Sequence, residues 1–373
     1  MFSVQQPSEI SIFEALLLFG FLLMFVVQLY FYVRYFLPLA KFKNESVGEN
    51  HKAVSIVIAA RNEEKTILKL IDHLLTQKYI DFEIIVVNDY STDDTLKMLR
   101  DFEGSKLKVI NNDGKPGKKS AISRGIFEAK HELLLFTDAD CWPNSENWIA
   151  EMTSGFTNDI EIVLGFGAFE KTTTLLNKLT RFEGFISALQ YFGFAHAGKV
   201  YMGVGRNLAY RKSTFLKVDG FSAHENILSG DDDLLVNKAS TSSNVAIQLH
   251  ANAQTVTKGE TSWERFIYQK RRQLTAGAYY KQSDKIRLAV FGATSFLYYM
   301  LFGILLLKSP FSLLIFVIFV TKQALEYLLF RGVAKRLKVQ DLMPLLVVLE
   351  PLYIFSITAI GISTWFWKVK EWK

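Results

Sequence analysis

Between Ile12 and Phe36 the chain carries only two charges, Glu14 and Arg34, near the ends of a run longer than the roughly 20 apolar residues that span a hydrocarbon core. Such a run demands a bilayer or a very large core. Leu288 to Leu307 and Phe311 to Phe330 are two further runs, parted only by Lys308, Ser309 and Pro310, which in a bilayer makes a helical hairpin. Leu342 to Trp367 is a fourth, interrupted by Glu350-Pro351 and closed by aromatics that suit the membrane interface. One helix before the middle of the chain and about three after it are expected. No Lys or Arg precedes the first run and no small-x-small site follows it, so it reads as an uncleaved anchor.

Charge divides the chain in the same way. Residues 1–40 and 288–373 hold only 16 of the 80 charged side chains, which leaves residues 41–287 with the composition of a soluble domain. The formal net charge of +6 is split between the two parts, giving no electrostatic footprint for nucleic acid. Cys141 is the sole cysteine, so an intrachain disulfide is impossible. Arg34, Lys41 and Lys43, and the loop Arg331, Lys335, Arg336, Lys338, flank the domain's side, and the bias of Lys and Arg toward that side makes the domain cytoplasmic, on a bacterial-type plasma (inner) membrane crossed several times. A fourth spanning helix would put Lys368, Lys370 and Lys373 outside. Either the Glu350-Pro351 segment is re-entrant or the tail is an exception.

Within the middle, Val54 to Ala60 is a β-branched apolar run and Thr66 to Leu75 carries apolar residues at helical spacing. Glu83 to Val87, Leu107 to Ile110 and Glu132 to Thr137 are further strands, with helices at Thr95 to Leu99 and Ala121 to Ala129. Alternating strands and helices predict an α/β domain with a parallel sheet covered on both faces, where ligands bind at the carboxyl ends of the strands. The polar motifs fall at those ends. Asp138-x-Asp140 follows the strand Leu133 to Phe136 and offers hard oxygen ligands for Mg²⁺ or Mn²⁺. Gly230-Asp231-Asp232-Asp233 is a second acidic cluster, in which one carboxylate is a candidate general base with its proton affinity raised by its neighbours. Gln269-Lys270-Arg271-Arg272-Gln273 is a basic run suited to the charge on a departing diphosphate. Gly114 to Ser120 lacks the glycine spacing of a P-loop, and the six histidines lack ligand spacing.

Taken in order, these residues resemble glycosyltransferase family 2, the inverting, metal-dependent enzymes with a GT-A fold (a Rossmann-like mixed sheet). Ser55 to Glu64 is similar to the family's opening strand and loop, which implies that Ala60, Arg61 and Glu63 line the donor site. Asn88-Asp89-Tyr90-Ser91-Thr92-Asp93 resembles Asp-Asp-Gly-Ser-x-Asp and implies a base contact for Asp89. Gly117-Lys118 to Ala121 resembles the stretch beside the nucleoside. Asp138 and Asp140 fall on the motif that holds ribose and metal, with Asp140 the metal ligand. Gly203 to Tyr210 is similar to the strand beside the acceptor and implies acceptor roles for Gly205 and Asn207. Gly230-Asp231-Asp232 makes Asp232 the base, or Asp231 under an Asp-x-Asp-Leu alignment. Gln269 and Arg272 match Gln-x-x-Arg-Trp, which implies donor contacts for both, and Gln273 stands in place of the tryptophan, on the acceptor side.

The resemblance implies a membrane-bound hexosyltransferase that moves a sugar from a nucleotide-diphosphate donor, a UDP-sugar, and an active site tethered to the bilayer on both sides suits a lipid or lipid-linked acceptor. Membrane lipids are its surroundings, and the apolar stretch Thr180 to Gly198 is expected in the interface. A processive polysaccharide synthase is the neighbouring alternative. An inactive envelope-assembly scaffold is the alternative of another class, and it would not require Asp138, Asp140 and Asp232 together. A transporter needs polar residues inside several membrane helices, where Glu326 and Glu350 qualify.

Overall fold

A computed structural model describes residues 11–43, 52–227 and 229–367, so the tail lysines that bear on orientation lie outside the described residues. Ten strands form two sheets: β1 (Val54–Ala60), β2 (Phe82–Asn88), β3 (Leu107–Asn111), β4 (Leu133–Phe136), β5 (Cys141–Pro143), β6 (Ile162–Leu164), β7 (Gly167–Phe169), β8 (Leu208–Arg211), β9 (Val245–Ile247) and β10 (Thr255–Thr257). The large sheet has the order β3-β2-β1-β4-β8-β6-β9, and a small one the order β5-β10-β7. The first four strands are parallel, as the alternation predicts. β8, however, runs antiparallel to both β4 and β6, so the sheet is mixed.

Side chains alternate across the pleat, and both faces are dry. Val57, Ile85, Val87, Leu134 and Phe136 enter one core, while Ile56, Ile58, Ile84, Val86 and Leu135 enter the other. That two-sided burial explains why β1 and β2 are near-continuous apolar runs. Helix Lys118–Glu128 lies so close to the first face that a Cβ on Gly125 would stand 2.4 Å from Val57 Cγ1.

The first core continues without a break into the membrane helices, through Phe330, Val333, Leu342 and Leu346, across the boundary expected at residue 287. Among the described residues, four helices are long and apolar enough to cross a membrane: Ile12–Lys41, Gln282–Lys308, Ser312–Arg336 and Gln340–Ser363. Arg336 donates to the Phe42 carbonyl, and Gln254 of the domain donates to the Arg336 carbonyl at 2.7 Å. The two basic flanks therefore meet on the domain's side. The last helix touches the domain at both ends: Asp341 takes a bidentate pair from Arg181 (2.6 and 2.9 Å), and Ser363 accepts from Arg271 at 2.8 Å. Pro351 lies inside it, where a helix bends.

Inside the bundle, Lys322 is fully buried and reaches Glu326 (2.5 Å) and Glu350 (3.0 Å), with Gln323, Tyr299 and Tyr32 completing the set. Hydrocarbon allows a charge only where it is paired, and this cluster ties three helices to the short π-helical turn Tyr32–Phe36. The stretch Thr180 to Gly198 corrects its expectation. It belongs to helix Leu175–His196, whose apolar residues are covered by the chain's own sheet and membrane helices rather than by lipid.

Candidate active site

The parallel strands end where the polar motifs begin. After β4 the chain passes through Asp138 and Asp140 into β5; Lys118 opens helix Lys118–Glu128; Asp232 caps helix Asp233–Ala239. Lys118 joins the two acidic motifs, with its Nζ 2.8 Å from Asp138 Oδ1 and 2.6 Å from Asp231 Oδ2. Burial works against the lysine's charge, but Asp138, Asp231 and Asp232 hold its pKa well above the usual value. Burial likewise favours a neutral Asp138, yet Lys118, then Arg206 and Arg272, hold that carboxyl below the ordinary range. The three cations thus converge on one carboxylate.

Asp232 sits on the far side of Lys118. Its Oδ2 accepts from Gly205 N (2.5 Å) and its Oδ1 from Asp233 N (2.8 Å). A Cβ on Gly205 would stand 3.2 Å from Oδ2 and 3.4 Å from the Lys118 ammonium, so glycine permits this approach. Burial, then the charge of Asp231, raises the Asp232 pKa above the usual carboxylate value. The neighbours' repulsion is as the sequence suggests, though burial is the larger cause. Asp231 is bound to Lys118, whereas Asp232, among the described residues, takes its hydrogen bonds from backbone N–H groups and feels the Lys118 charge without a direct pair.

Asp140 is exposed beside a cleft of about 370 Å³, lined by Asn62 to Thr66, Asp93, Thr257 and Lys258. Glu63 stands in that wall, with its carboxylate accepting from Thr66 (2.8 Å). Ligand atoms of Asp138, Asp140 and Cys141 lie within 4.8 Å of one another. The two carboxylates fit a hard divalent cation. Cys141 does not, since burial and then Asp140 and Asp138 push its thiol up and keep it neutral.

Several expected residues play other parts. Asp89 is wholly buried, both oxygens accepting from Gly117 N at 3.0 Å and one from Asn112 at 2.7 Å; Arg61 is 3.9 Å away. In this structure it fixes the Gly117 turn (φ +145°), and through it Lys118. Ala60 closes β1 and accepts from Asp89 N. Asn207, expected on the acceptor side, is fully buried: it accepts from Trp148 Nε1 (3.0 Å) and donates to Phe166 O (2.9 Å) and Ala253 O (2.6 Å). With both amide N–H groups and its oxygen bonded to the protein, it braces the strands and loops around it.

Helix Trp263–Ala276 splits the basic run three ways, because adjacent residues point about 100° apart. Lys270 is buried against Glu183 (2.7 Å), Arg271 turns to Ser363 and to the Trp367 ring (5.0 Å), and Arg272 faces Asp138. Gln273 accepts from Lys270 at 2.9 Å, and Gln269 is half-buried. Arg206, not singled out in the sequence, stacks on Phe169 at 4.3 Å and is the added cation. A lone charge in Gly203 to Tyr210 was the available signal.

Residues 55–218 match the model of glycosyl transferase family 2. The middle of the chain is a family 2 glycosyltransferase domain. A 4,4'-diaponeurosporenoate glycosyltransferase of Staphylococcus aureus (strain N315) is 39% identical over 100 residues, which cover 26% of this chain and 26% of that protein. The match therefore spans about a quarter of that relative. The fold of this glycosyltransferase domain and its membrane helices is also that of a mannosyltransferase from Pyrobaculum calidifontis, solved with GDP-Man and Mn²⁺: TM-score 0.59 at 14% identity, over 93% of this chain and 98% of that one. The GT-A fold expected from the motifs is thus present.

Proposed function

We propose that this chain is a membrane-embedded, inverting glycosyltransferase that moves one sugar from a nucleotide-diphosphate donor, a UDP-sugar, onto the hydroxyl of a lipid or lipid-linked acceptor. The observation that carries the reading is the meeting of two distant acidic motifs on Lys118, with Asp232 free of the salt bridge. The lipid acceptor is supported by packing: one core runs from the sheet into the membrane helices, which suits a substrate that stays in the bilayer. Contact of the last helix with the domain at both ends supports a re-entrant course for that segment, and the Lys and Arg bias of the flanks supports a cytoplasmic domain.

In this reading Asp140 and Asp138 would hold Mg²⁺ or Mn²⁺, which when bound screens the diphosphate's charge. Lys118, Arg206 and Arg272 place fixed positive charge beside the diphosphate oxygens, where charge grows as the sugar departs. Asp232 takes the acceptor's hydroxyl proton. The acceptor oxygen attacks the anomeric carbon from the face opposite the leaving group, the bond from that carbon to the phosphate oxygen breaks, and the nucleoside diphosphate leaves with the electron pair. Each Asp232 oxygen accepts one backbone N–H and keeps a lone pair for the hydroxyl.

The test is release of nucleoside diphosphate from a panel of sugar donors, with membrane lipid extract, as a function of pH. A base with a raised pKa stays protonated to higher pH, so the rate should fall on the acid side at a pH above about 4, the ordinary aspartate value. A rate that holds flat down to that value would assign the proton transfer to another group.

A further inference from the structure

Helix Asp233–Ala239, which Asp232 caps, is tied along its length to the segment that leads into membrane helix Gln282–Lys308. Asp233, at its first turn, accepts from Tyr280 OH at 2.6 Å. Asn237, one turn later and buried, donates to Asp284 Oδ2 (2.9 Å) and accepts from Lys281 N (3.1 Å). Arg287 holds the other Asp284 oxygen at 2.9 Å. The same Asn237 amide also donates to Tyr201 O at 3.0 Å. Tyr201 begins the loop whose Gly205 N–H binds Asp232, and its ring packs on Tyr280 (centroids 5.7 Å apart).

Both supports of the Asp232 carboxylate therefore lead back to one node. The N–H of Asp233 belongs to the clamped helix, and the N–H of Gly205 to the clamped loop. Asn237 and Asp284 are 4% and 3% exposed, so these bonds are made out of competition with water, where leaving a partner unmatched is costly. No flexible linker separates the carboxylate from the membrane helix.

We infer that Tyr280, Asn237 and Asp284 are positioning residues for Asp232, coupling its carboxylate rigidly to the start of the Gln282–Lys308 membrane helix so that the bilayer anchor sets the height at which the acceptor hydroxyl is met. The inference rests on reading Asp232 as the base. Misplacement of a catalytic group by about 1 Å costs up to about 10²-fold, and it does so in the chemical step rather than in donor binding.

The test is Tyr280→Phe in the full chain, a change that removes one hydroxyl and keeps the ring. Steady-state transfer to membrane lipid extract should show kcat lowered by about 10- to 10²-fold with donor KM unchanged. Amide hydrogen exchange over residues 233–239 should quicken, while exchange in β1 and β2 stays at the wild-type rate. Wild-type kcat with wild-type exchange would overturn the clamp, as would a parallel loss in kcat, donor KM and exchange protection throughout the sheet, which marks general loosening. If the unaltered protein transfers no sugar at all, the reading of the site falls, and the exchange rates alone then decide whether Tyr280 holds the helix.

Discussion

Asp232→Asn should lower kcat by a factor of about 10² to 10⁴, the usual worth of a general base, and leave donor and cation binding near the wild-type level. The amide keeps the side chain's shape and its carbonyl can still accept one backbone N–H, from Gly205 or Asp233, but it cannot take the acceptor's proton. Calorimetric titration of donor alongside turnover separates the two effects. The sharpest contrast is Asp231→Asn. That substitution breaks a 2.6 Å pair to Lys118 and should disturb donor binding instead. If Asp231→Asn lost turnover with binding intact while Asp232→Asn stayed active, the base would be the neighbouring residue.

Chelation of divalent cations should abolish turnover, and Asp140→Ala should remove both cation and donor binding. Asp140 is exposed at the cleft, and its carboxylate lies within 4.8 Å of that of Asp138, which places the two to share a cation. Cation binding followed directly by Mn²⁺ paramagnetic relaxation gives a readout apart from activity. Full turnover in excess EDTA would remove the metal from the account.

The sequence discloses strands that are long and buried on both faces. β1 and β2 stand out because nearly every position is apolar, with Ser55, Glu83 and Asn88 the buried exceptions, whereas β6, β7, β9 and β10 are three residues each and carry no period to read. Each acidic motif was visible as a motif. Their meeting on Lys118 was not, since 93 residues separate Asp138 from Asp231 and only the mixed sheet brings their loops together. Asn207 was hard to place because a buried bracing amide and a substrate-binding amide look alike in a string of letters. Lys322 escaped notice in an apolar run, and its counter-charges lie one turn away at Glu326 and on another helix at Glu350.

The most direct measurement is the product itself. The full-length protein in lipid vesicles, given a radiolabelled UDP-sugar, Mn²⁺ and membrane lipid extract, should move label into the organic phase. The new glycosidic bond should have the anomeric configuration opposite to the donor's, and Asp232→Asn should slow its formation by about 10²- to 10⁴-fold. Label that stays in water-soluble products, or a bond of retained configuration, would contradict the account.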